Sequence, residues 1–77
     1  MRKIKLIWDF KGPNSLGIAK HHCIHLKEFV QNETLNFFEI QYEEINPMWT
    51  LSFITINEED ISIFKEALKP HRATLAD

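Results

Sequence analysis

Apolar residues fall on every second position at Ile4, Leu6, Trp8 and Phe10, with Lys3, Lys5 and Asp9 between them and only Ile7 out of step. That period belongs to a strand with one buried face. Beyond Lys11-Gly12-Pro13-Asn14-Ser15 the period lengthens. Leu16, Ala19, His22, Cys23, Leu26, Phe29 and Val30 share one helical stripe, and Asn14, His21, His25, Glu28 and Asn32 lie opposite. A helix-period pattern cannot lie flat as a strand, nor the reverse, so the order in which the two periods alternate limits the folds open to this chain.

The remaining segments complete that order. The turn chemistry before the first helix offers Asn14 or Ser15 as an acceptor for the free amides of its first turn. Leu35 to Ile45 predicts a long, acidic second strand, with Phe38, Ile40 and Tyr42 on one face and Phe37, Glu39, Gln41 and Glu43 on the other. Asn46-Pro47-Met48 reads as a hairpin connection to a third strand over Trp49 to Ile56. Asn57 can cap a second helix whose first turn is acidic and whose buried stripe is Ile61, Phe64, Ala67 and Leu68, with Pro70 as the stop. Arg72-Ala73-Thr74-Leu75 is either a short edge strand or a loose tail. The sum is a single α+β domain over residues 1–77 in the order strand, helix, two strands, helix and possible strand, which resembles a ferredoxin-like βαββα(β) two-layer sandwich with both helices on one face of an antiparallel sheet.

The second sheet face is not expected to be purely polar. Ile7 and one of Phe37 and Phe38 point outward, and the third strand carries Trp49, Leu51 and Phe53 on one parity against Ile54 and Ile56 on the other. An apolar outer face on so small a domain predicts a homodimer that pairs face to face, the alternative being aromatics tolerated singly at the surface.

Charge and composition narrow the partners. Nine basic against eleven acidic residues give a formal net charge of −2. That balance denies the chain a broad basic field, and no RNP1-like run appears, so neither nucleic acid nor a membrane surface is an expected partner. One cysteine, Cys23, closes no internal disulfide and fits a reducing, cytoplasmic setting. Lys5 and Asp9 interrupt the first apolar run before a signal-peptide core can form.

Three constellations could carry chemistry. His21 and His25 stand one helical turn apart, with Glu28 a turn further, and could converge on zinc, copper or nickel; solvated helix residues are the plain reading. His22 could act as a general acid or base if it lined a cavity, or sit hydrogen-bonded in the core, whereas Cys23 on the buried stripe reads as a small core residue. Trp8, Asp9, Lys11, Gly12 and Asn14 form a strand-to-helix loop that could hold an anionic small molecule, or serve only as turn and cap. No motif names a cofactor. Lys69-Pro70-His71-Arg72 makes a small cationic tip after the second helix.

The functional expectation is a binding or interaction module, homodimeric through its sheet, that recognises a small ligand or another protein. The topology also resembles the dimeric α+β barrel enzymes, which would imply proton transfer by His22 in a pocket between sheet and helices. A weak metal-binding module built on His21 and His25 is the third reading.

Overall fold

The computed structural model describes residues 2–76. Its elements are β1 (Lys3–Lys11), α1 (Ser15–Asn32), β2 (Glu39–Asn46), β3 (Trp49–Asn57), a 3₁₀ turn (Glu58–Asp60), α2 (Ile61–Leu68) and β4 (Arg72–Leu75). The four strands form one antiparallel sheet in the order β2-β3-β1-β4. Since β3 runs antiparallel to both β1 and β2, those two strands are mutually parallel, and α1 makes the crossover between them with β3 inserted. The arrangement is α+β and compatible with a ferredoxin-like sandwich.

The period-2 pattern decides which face the helices cover. Ile4, Leu6 and Trp8 of β1 pack with Ile54 and Ile56 of β3 and Ile40 of β2 against Cys23, Leu26 and Val30 of α1 and Phe64 of α2. Both helices therefore lie on one side of the sheet. They meet through an edge-on contact of Phe29 with Phe64, ring centres 5.7 Å apart. Phe64 is the one buried residue of α2. The helix ends where Lys69 turns into the left-handed region at φ 48°, with Pro70 behind it.

Three local expectations are corrected. The strand predicted from Leu35 begins only at Glu39, because residues 33–35 still bond back to the end of α1: Glu33 N–H donates to the Phe29 carbonyl and Leu35 N–H to that of Val30. Phe37 and Phe38 consequently stand outside the strand, both exposed. Neither proposed cap residue caps α1: Asn14 makes no side-chain cap bond, and Ser15 turns its hydroxyl inward to Thr50, 3.1 Å away. Asn57 likewise makes no side-chain cap bond, and the acidic turn that follows it is 3₁₀. Arg72–Leu75 forms the edge strand β4, on β1.

Candidate functional site

The loop residues singled out from the sequence divide between the two sides of the sheet. Trp8 faces the helices, buried, and its Nε1–H donates to the Leu68 carbonyl at the end of α2 over 3.0 Å. Asp9 and Lys11, one position out of phase, face the open side. Gly12 turns the chain at φ 109°, a conformation that favours glycine, and its N–H donates to the Met48 carbonyl at 2.7 Å, tying the end of β1 to the β2–β3 hairpin.

Asp9 is a hub. Its carboxylate accepts two bonds from Arg72, at 2.9 Å from Nε and 3.1 Å from Nη2, and a third from Trp49 Nε1 at 3.0 Å. Its backbone N–H donates to His71 Nδ1 at 2.9 Å. The Arg72 guanidinium, more than the burial that opposes it, holds the Asp9 carboxyl below the usual aspartate range, with Trp49 assisting. One side chain thus joins β1, β3 and β4, and Lys69-Pro70-His71-Arg72 acquires a role beyond stopping a helix.

The open face has an apolar strip that is already withdrawn from water. Ile7, Leu51 and Phe53 are 5%, 6% and 7% exposed although no helix covers them. Lysines lie over the aromatic rings of this face: the Lys5 ammonium stands 3.9 Å from the centre of the Phe53 ring within the strip, Lys11 3.7 Å from that of Trp49 and Lys3 4.4 Å from that of Phe38. The ion pairs among the described residues are Arg72–Asp9 and His25–Glu28, so these lysines rest on rings and not on carboxylates. Cross-strand register places Glu39 and Glu43 of β2 on the same side, so the lysines of β1 and the glutamates of the edge strand face the same way with β3 between them.

At one end of this face lies an open groove of about 530 Å³, lined by Lys3, Lys5, Phe38, Glu39, Thr55 and Thr74 among others. Of these six, the sequence drew attention to the chemistry of Glu39 alone, as part of the acidic second strand. A signal existed: Lys3, Lys5 and Lys11 share the parity opposite the helix-facing Ile4, Leu6, Trp8 and Phe10. What the pattern could not supply was the neighbours, since Thr55 and Thr74 reach the groove only through long-range pairing with Lys5.

His22 lies on the opposite, helix-covered side. Its Nδ1 is 2.7 Å from the Ser52 hydroxyl, and its ring packs edge-on against Trp8 and Phe10 at 4.7 and 5.4 Å. Burial, and then the proximity of His25 and His71, push its pKa down, which favours the neutral ring. Ser52 is fully buried, so this pair presents no accessible nucleophile. Cys23 beside it is buried in the same core and its thiol pKa is raised by that burial, consistent with a packing role.

His21 and His25 do converge on the exposed side of α1. Their Nε2 atoms are 2.8 Å apart and the rings stand nearly perpendicular, centres 4.4 Å apart. Glu28 meets the other nitrogen of His25, Nδ1, at 3.3 Å. Among the described residues no group of three or more His, Cys, Asp or Glu side chains is arranged to hold a metal ion. No described helix is long and apolar enough to cross a membrane. The chain matches no protein-family model, and no curated protein or solved structure shows significant similarity to it.

Proposed function

We propose that this domain is a ferredoxin-like binding module whose working surface is the open face of its sheet, taking a small anionic ligand with an apolar part in the groove beside Lys3 and Lys5. The carrying observation is that these two ammonium groups rest on phenyl rings and pair with no carboxylate among the described residues, beside the hydroxyl-bearing Thr55 and Thr74 and with Glu39 as the acidic member of the lining. A carboxylate or phosphate would draw both ammoniums off the rings, and its apolar part would take their place against Phe38. A buried thiol fits a reducing, cytoplasmic setting for such a module. Proton transfer by His22 gains no support from the geometry, because that ring lies across the sheet from the groove and bonds to a buried hydroxyl.

The test is a titration of the labelled protein with phenyl phosphate and with benzoate, followed by amide chemical shifts. Shifts centred on Lys3, Lys5, Thr55 and Thr74, lost in the K3Q/K5Q double variant, are the expected result. Shifts centred on His22, or none at millimolar ligand, would reject the groove as the site.

Self-association through the same face is the second reading, favoured by its separated lysines and glutamates. In a two-fold, face-to-face dimer the lysines of β1 can meet Glu39 and Glu43 of the partner copy. Light scattering across protein and salt concentration separates the readings: a dimer that dissociates in high salt supports it, and a monomer at all concentrations leaves the groove free for ligand.

A further inference from the structure

We propose that His21 and His25 chelate one divalent late-transition-metal ion through their Nε2 atoms, with copper preferred over nickel and zinc. This inference is independent of the groove, which lies across the sheet from α1. Two imidazole nitrogens about 2.05 Å from one ion lie about 2.9 Å apart when they subtend a right angle, and about 3.3 Å apart at a tetrahedral one. The observed separation of 2.8 Å is that of a hydrogen bond in the metal-free pair, and it shows that the two nitrogens come within the span of one ion. Copper heads the affinity order of divalent first-row ions for such nitrogen sites.

The surroundings suit the role. The Glu28 carboxylate 3.3 Å from its Nδ1 favours the His25 tautomer with the ring proton on that side, which keeps the Nε2 lone pair for the ion. In that tautomer the lone pair accepts the Nε2–H of His21 in the metal-free protein. Binding requires His21 to shift its proton to Nδ1 and turn its ring, and both rings are exposed, so neither change disturbs the core. The helix supplies the spacing at no further cost, because residues four apart project on one side. The remaining coordination positions are left to water, making this an open site.

The experiment uses untagged full-length protein, titrated calorimetrically with copper, nickel and zinc chlorides and with magnesium as control. One equivalent of copper bound more tightly than nickel or zinc, and no magnesium binding, is the expected result. H21Q and H25Q each weaken copper binding by at least about tenfold with unchanged circular dichroism, E28Q weakens it by a smaller factor, and H22Q leaves it unchanged. Electron paramagnetic resonance of the copper complex shows two equatorial imidazole nitrogens in the parent and one in either single variant. Wild-type affinity in both H21Q and H25Q, or no binding by the parent at millimolar ion, overturns the proposal.

Discussion

Replacing His22 by leucine separates a structural histidine from a catalytic one. Ser52 is fully buried and bonds to His22 Nδ1, so the variant leaves a hydroxyl without a partner. An orphaned buried hydroxyl costs about 1–3 kcal/mol, whereas a made hydrogen bond contributes only about 0.5–1.5 kcal/mol net. Leucine keeps much of the apolar contact with Trp8 and Phe10, so the hydroxyl dominates the loss. A domain of 77 residues has about 4–12 kcal/mol in total, so the change is a substantial fraction. Ser52→Ala costs less, because water can reach the half-buried ring. The double variant H22L/S52A contains neither polar group and recovers about 1–2 kcal/mol relative to the sum of the singles.

Urea unfolding of the four proteins, followed by tryptophan fluorescence, measures that coupling. The parent carries a second signature. Its folded-state His22 pKa is depressed, so the unfolded chain binds more protons below its own imidazole pKa of about 6.5. The His22 contribution is therefore complete above that pH and declines as pH falls from about 6.5 toward the depressed folded value; it is absent in H22L. Coupling below about 0.5 kcal/mol, or identical pH profiles from 7 down to 5 in parent and H22L, would refute the structural assignment.

Other expectations follow from the same geometry. Asp9→Asn removes the charge that Arg72 engages, so amide exchange accelerates in β4 before it does in β3; unchanged protection of Arg72–Leu75 would count against the hub. The Asp9 pKa is depressed, so its contribution to parent stability is present above the unfolded carboxyl pKa and is lost on acidification below about pH 3.8, a window distinct from that of His22. Thr50→Val strands the buried Ser15 hydroxyl and costs about 1–3 kcal/mol in urea unfolding, with most of that recovered in S15A/T50V. Gly12→Ala meets no steric obstacle but must hold φ at 109°, so a loss above about 1 kcal/mol is expected, and a neutral result would mean the turn relaxes.

Much of the fold was legible because two periods are hard to mistake. Ile4-Leu6-Trp8 could only face one way, and the α1 stripe through Cys23, Leu26 and Val30 could only meet it. The failures sit where a local pattern was overruled. Alternation continues through Phe37 and Phe38, yet the chain is bonded to the last turn of α1 as far as Leu35 and regular strand begins only at Glu39, just after Phe38 N–H meets the Thr55 carbonyl. Ser15 looked like a cap from its neighbours along the chain, but Thr50 offered it a buried partner from across the fold. The groove was illegible for the same reason: Lys5 was visible in the sequence, whereas its position opposite Thr55 and Thr74 is a fact about pairing. Convergence of His21 with His25 needed only helical spacing, and the structure adds the placement of Glu28 on the far nitrogen.

Lysines lying over the rings of a sheet face that no helix covers change what a surface substitution means on this domain. Lys5 is a half-buried lysine with no carboxylate partner among the described residues, so a conventional alanine scan would class it as harmless. It nonetheless lies over Phe53, and truncation would open a window onto that ring, which packs with Ile7. The damage would surface as stickiness: lower expression yield, retention on hydrophobic resin and concentration-dependent clouding, with the melting point little altered. Arginine, which keeps a long stem and a cation that stacks on rings, would be a far safer replacement than any smaller polar residue.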